Sequence, residues 1–590
     1  MMRSRVRTLI LTAFLLLSAA TAQAESILDH LPDDAIGFVL IRNLAATNAK
    51  IEGVTRIFQE VSPMPIPAPL PVLKAATGLG EGLNEQGDAL LALLPGDEGG
   101  ATPRPLLLVA VSDYAAFAAS VNGDATGEVC RVTIAGEEIL VAKRGSHAVL
   151  MNVEHRERLE SLLATEPKPL AALEPLSNWL AKTDVAAVLT SSGVDMLTAL
   201  GQQGLAGQRE ATEERLSEPD VSNSLRQWHD ALEMYEAVLG FLGVELEVAA
   251  AGLAIDDHSN LKLLSHALLS NEGELKGVAA PPAVASPLAG FPDQPYVFAA
   301  GGPLPQTYGE ASAVFMRKMI EANPQSHGFE DLSDEDWKEL EESWKAAMQG
   351  VTSMSMLIQP GQVDDPLMGD FYSLVHVDDA AAYLVSYKKS METWNKLLAK
   401  TSSDIKLAYE TSDVEVAGKQ GMLTTVDVGA AANDGNDPTF NAMMEGMFGT
   451  DGVMRTYLIE ANEKTVLMGM SNEEDVAALL AMAAKGETGL ADSPSTQTTL
   501  KLLDPAAPWV GVQSPKGTVA WIKRFVDKFW AQLGQGAPTI PEYPDSSPVG
   551  FSVNLSDGRL STEMVWPVDT LEGVAAFIKS VQESFKPPGG

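Results

Sequence analysis

Four short blocks occur twice in this chain in the same order, and self-similarity of that kind restricts the fold more than any other feature of the sequence. Leu31-Pro32-Asp33 opens a segment through Phe38 to Leu44, and Phe291-Pro292-Asp293 opens another through Phe298 to Leu304, 260 positions on. Leu108 to Asp113, followed by Ala115-Ala116-Phe117, returns as Leu374 to Asp379 followed by Ala381-Ala382-Tyr383, at an offset of 266. Val149-Leu150-Met151 with Leu159, Leu162 and Leu163 returns as Val466-Leu467-Met468 with Val476, Leu479 and Leu480, at 317. Gly252-Leu253-Ala254-Ile255 matches Gly550-Phe551-Ser552-Val553, at 298. The changing offsets predict extra residues between the second and third blocks of the second copy, and an added helix near 208–243 in the first. The Pro/Ala-rich linker 281–287 falls at the expected join. A prior of ~150 residues per domain would give roughly four domains for 590 residues. The repeats instead predict two related halves, a first α+β copy over 25–280 and a second, with insertions, over 288–590.

Each half reads as α+β. Phe38-Val39-Leu40-Ile41 is a short apolar strand, and Leu106 to Val111 is apolar on both faces, as a central strand must be. Asp113 is placed to cap a helix through Val121, and Asp378 or Asp379 to cap a longer counterpart. There Tyr383, Tyr387, Met391, Trp394 and Leu398 recur at three- and four-residue steps and form one apolar stripe. Ser333 with Asp336, and Ser471 with Glu474, are spaced as capping boxes. Hairpins are expected at Gly136-Glu137, at Asp256 to Asn260 and at Asp557-Gly558. Hairpin connections favour antiparallel pairing, so the expected class is α+β with a largely antiparallel sheet packed with helices in each half.

The first 24 residues have the layout of a secretory signal. Arg3, Arg5 and Arg7 precede an apolar run from Leu9 to Ala20, and Ala22-Gln23-Ala24 is a small-residue cleavage site. The run is shorter than the ~20 residues a spanning helix needs, and the separated arginines indicate a Sec-type route. The reading is a mature, exported chain, periplasmic or extracellular, of 566 residues. Removing the signal moves the formal charge from −38 to −41. Neutralising phosphates requires clustered Lys and Arg, so nucleic acid is not an expected partner. A single cysteine, Cys130, rules out an internal disulfide framework. Strand alternation puts it on the apolar face of Val132 and Ile134, as a buried thiol.

The sequence holds no recognisable catalytic, cofactor-binding or metal-binding constellation. The eight histidines are dispersed and none lies in H-E-x-x-H. His376 interrupts an apolar strand and reads as a hydrogen-bonded core residue. Asp256-Asp257-His258 and Asn433 to Asp437 carry ligand-type side chains, but in turn-forming runs. Ser386 and Lys389 match S-x-x-K without its S-D-N and K-T-G companions.

Two segments point to binding. Phe440, Met443, Met444, Met447 and Phe448 form a Met/Phe-rich run inside the second copy's insertion. Three readings are open: ordinary core packing, a lid over an apolar cavity, or a soft copper site through Met444 and Met447. Pro63 to Pro71 has proline at every second position and is expected to form an extended arm, docked on this chain or on a partner.

The Leu31-Pro32-Asp33 opening and the duplicated α+β layout resemble bacterial exported proteins carrying a domain of unknown function. That resemblance implies no activity and no catalytic residues. The function expected is a non-enzymatic binding or structural module, with an apolar ligand or a protein as partner. The alternative is an exported hydrolase whose active-site residues are not contiguous.

Overall fold

The computed structural model describes residues 26–62, 67–96, 102–134, 136–216, 223–273, 275–278, 281, 284, 286–305, 309, 312, 313, 317, 332–362, 365–400, 408–427, 446–449, 452–532 and 536–584. Two compact units form, Met1–Ile51 with Pro67–Ser192, and Glu52–Ile66 with Gly193–Gly590. The class is α+β, and every strand pairing described is antiparallel.

The first unit contains β1 (Gly37–Ile41), β2 (Ala89–Leu94), β3 (Arg104–Ala110), β4 (Val129–Ile134), β5 (Glu137–Arg144), β6 (His147–Asn152) and β7 (Val185–Leu189). Their order across the sheet is β7-β1-β2-β3-β6-β5-β4. Helix α1 (Pro69–Thr77) corrects the expectation of an extended arm to Pro71. Pro69 stands in the first turn, where a missing N–H costs nothing and a fixed φ helps. Residues 63–66 of that arm lie outside the described residues. Helix α2 (Tyr114–Ser120) starts where Asp113 accepts bonds from the Ala115 and Ala116 amides. Its Phe117 and Ala118 are fully buried against Val109, Val141, Ala148 and Leu150 of the sheet. Cys130 sits in the same core. Helix α3 (Arg156–Ala164) buries Leu159 and Leu162.

In the second unit, helices α4 (Ser191–Leu216) and α5 (Asn223–Glu245) precede the strands, two helices where one was expected near 208–243. The strands are β8 (Leu246–Ile255), β9 (Leu261–Leu269), β10 (Phe298–Pro303), β11 (Val351–Ile358), β12 (Phe371–Val377), β13 (Tyr409–Val416), β14 (Lys419–Asp427), β15 (Val453–Asn462), β16 (Thr465–Met470), β17 (Trp509–Gln513), β18 (Val549–Ser556) and β19 (Arg559–Trp566). They pair in the order β8-β9-β19-β18-β17-β10-β11-β12-β16-β15-β14-β13. The β18–β19 turn puts Asp557 and Gly558 at φ 51° and 69°, the left-handed pair that a two-residue hairpin requires.

Further helices are α6 (Asp334–Met348), α7 (Ala380–Leu398), α8 (Glu473–Lys485), α9 (Pro515–Gln532) and α10 (Val568–Ser584). Ser333 and Asp336 close a capping box on α6, and Asp379 caps α7. The cap of α8 is Asn472, not Ser471; Asn472 accepts from the Asp475 amide. Asn and Ser are nearly equal as caps, so the sequence could not separate these neighbours.

The two faces of the β11-β12-β16-β15-β14 region differ in kind. One is aliphatic and aromatic: Leu357, Tyr372, Leu374, Tyr457, Ile459 and Leu467 pack with Val476, Leu479 and Leu480 of α8. On the other, the register sets Met356 opposite Ser373, Ser373 opposite Met468, Met468 opposite Leu458, and Leu458 opposite Met422. Because side chains alternate along a strand, Met354, Met356, Met422, Met454, Met468 and Met470 all share that face. Tyr383, Leu384 and Tyr387 of α7 pack on it. Among the described residues no helix is long and apolar enough to cross a membrane.

Candidate functional site

The methionine-bearing face ends at a cleft of ≈390 Å³ within the second unit. Three pieces of chain build it. The β11–β12 connection supplies Asp365, Pro366, Met368, Gly369 and Asp370; the turn at 446–449 supplies Met447 and Phe448; and the ends of β15 and β16 supply Val453, Met454, Arg455, Met470 and Ser471. Backbone bonds lock the first two together: the Leu367 amide donates to Gly446 (3.0 Å) and the Met368 amide to Met447 (2.9 Å).

Arg524 of α9 organises this wall. Its guanidinium donates to the carbonyls of Pro360 (2.5 Å), Asp365 (2.6 Å) and Pro366 (2.6 Å). Nζ of Lys528, one turn on, donates to the Asp365 carbonyl. A buried cation bonded to several carbonyls fixes a connection that has no strand pairing of its own. Gly361, at φ 67°, leaves room for the guanidinium; a Cβ there would collide with Arg524 and with the Asp370 carboxylate.

Asp370 is the unusual group. Its backbone is left-handed at φ 62°, and the residue is only 4% exposed. Oδ1 accepts from the Ser471 hydroxyl at 3.3 Å. Oδ2 lies 3.7 Å from Arg524 Nη1 and meets no hydrogen-bond donor among the described residues. Burial pushes its carboxyl up to about 6. The Asp365 and Asp475 charges add to that shift, while Arg524 and the Ser471 bond oppose it. The site therefore offers an apolar wall of Met and Phe beside a buried carboxyl group poised to change charge near pH 6, a combination that suits amphipathic ligands.

Of the residues singled out in the sequence, Met447 and Phe448 line this cleft. Phe440, Met443 and Met444 lie outside the described residues, as do Asn433 to Asp437. His376 is half-buried with Nδ1 3.3 Å from the Thr465 hydroxyl, and burial lowers its pKa. At Asp256 burial pushes the carboxyl up, but bonds from Asn260 and His258 outweigh it and hold it below the usual range; these bonds close the β8–β9 turn.

Asp370, Arg524 and Ser471 span 154 positions and share no local motif that marks them as a site; Ser471 stands out in the sequence only as a capping residue. A buried cluster in the first unit is equally unmarked. There the His30 and His147 rings approach to 3.1 Å between Nε2 and Nδ1, and Arg144 Nε donates to His30 Nδ1 at 3.0 Å. Among the described residues no three His, Cys, Asp or Glu side chains converge as a metal site. Comparison with family models, curated proteins and solved structures finds no match for this chain.

Proposed function

We propose that this chain is an exported binding protein, built from two copies of one α+β unit, that takes an amphipathic small molecule into the cleft beside Asp370. The observation carrying the reading is the pairing of Met368, Met447, Phe448, Met454 and Met470 with a buried carboxyl group. Methionine adapts its shape to varied apolar partners, and one or two placed polar groups orient a ligand. Residues 1–24 support export through their signal-like layout.

The duplication is supported by pairing order. β1 lies between β2 and β7, and β3 between β2 and β6. Likewise β10 lies between β11 and β17, and β12 between β11 and β16. Under this reading the β8–β9 hairpin of the first copy corresponds to β18–β19 of the second. Within the second unit β9 pairs with β19, so equivalent strands meet each other as in an isologous contact.

Native mass spectrometry of freshly purified protein, followed by titration with an environment-sensitive apolar fluorophore, tests the binding function. The expected result is a co-purified small molecule or saturable fluorophore binding that weakens in Phe448→Ala. Absence of both overturns the reading. Turnover on a panel of ester and amide substrates would replace it with the hydrolase alternative.

A further inference from the structure

We propose that the same cleft binds a soft monovalent cation, Cu(I) or its analogue Ag(I), through the thioethers of Met368, Met447, Met454 and Met470. The inference does not depend on the amphipathic-ligand reading, although it draws on the same four methionine side chains. Four of the fifteen residues lining the cleft are methionine, against 22 in the 590-residue chain. An apolar wall alone does not call for that choice, since Leu, Ile and Val fill the corresponding core of the first unit.

The placement is specific. Tyr457 pairs with Gly469, which sets Thr456 beside Met470; Met454, two residues back, shares its face. Met454 and Met470 are thus diagonal neighbours on adjacent strands, within reach of one another. Met368 and Met447 are brought side by side by the backbone bond between them. Both pairs open onto one cleft.

Thioethers are soft, neutral donors that favour Cu(I) over divalent borderline metals. They carry no proton, so their affinity does not collapse in acid as that of thiolate or imidazole sites does. The bound ion keeps its single positive charge and is held by neutral sulfur donors; the Asp365 carboxylate also lines the cleft. Arg455 and Lys528 also line it, and their side chains are drawn onto the backbone carbonyls of Val453 and Asp365. No electron transfer is involved; the ion enters and leaves as Cu(I).

The test uses the full-length chain carrying Cys130→Ala, so that the one thiol cannot contribute, under anaerobic conditions. Cu(I) is supplied as its complex with a chromogenic chelator, and the protein is expected to withdraw one equivalent. Single Met→Leu changes at 368, 447, 454 or 470 should weaken binding at least about tenfold, since even the loss of a partner outside the ligand shell costs that much. The quadruple Leu variant should bind none in this range, with circular dichroism and thermal melting to check that it keeps the parent fold, as a change that conserves volume and apolarity should. X-ray absorption of the Cu(I)-loaded parent should show sulfur scatterers, a readout that requires none of the methionine variants to fold. No withdrawal by the parent, equal withdrawal by the quadruple variant, or a shell of nitrogen and oxygen alone overturns the proposal. A parent that withdraws Cu(I) but binds no apolar fluorophore would instead sink the amphipathic-ligand reading.

Discussion

The β3-β6-β5 region of the first unit and the β12-β16-β15 region of the second share a strand plan and differ in what fills them. In the first, a seven-residue helix sets Phe117 and Ala118 on Val109, Val141, Ala148 and Leu150. In the second, a nineteen-residue helix lies over a face that carries Met354, Met422 and Met468. Branched and aromatic side chains with few rotamers specify a single packing. Methionine has three flexible bonds and tolerates rearrangement. One core is filled with stiff side chains, and the other includes side chains that can rearrange.

Truncation should break that symmetry most strongly. Phe117→Ala is expected to cost about 3–5 kcal/mol, because it leaves a void in a core with no adaptable neighbour. Met468→Ala should cost less, about 2–3 kcal/mol, because flexible neighbours can close part of the void. Urea denaturation followed by circular dichroism measures both, and comparable losses would remove the distinction.

The next effect belongs to the cleft alone. Folding raises the Asp370 carboxyl from its ordinary value of 3.8 to about 6. The native state therefore holds that proton more tightly than the unfolded chain does. Ionising it costs stability, and the cost grows as pH rises from about 4 to about 6 and is complete above that. Asp370→Asn should accordingly gain roughly 2–3 kcal/mol at pH 7.5 and almost nothing at pH 3.5. A gain of the same size at both pH values would show that the carboxyl is not strained by burial.

The smallest difference concerns the caps. Asp113 accepts two amides and Asp379 one. Each Asp→Ala change should cost about 1 kcal/mol, with Asp113 the costlier. Thermal melts of the two variants give the order.

Much of the secondary structure was legible because it is local. Asp113, Asp379 and Ser333 announce helix starts, and Asp557-Gly558 announces a hairpin. The helical start at Pro69 was obscured because proline suits both an extended arm and a first helical turn. The cleft was legible only in Met447 and Phe448. Asp370, Ser471 and Arg524 acquire meaning from burial and from one another, and neither property is written in spacing along the chain. The methionine face was invisible for a related reason. Its members come from four strands, and only the pairing register shows that they point the same way.

The position of Cys130 has a practical consequence. The chain contains one thiol, 6% exposed, with burial raising its pKa. A thiol-reactive dye can reach it only when the core around Phe117 opens, so the labelling rate reports that local opening directly. The wild-type chain thus carries its own clock for the fluctuations of one unit, with no engineered label and no signal from the other.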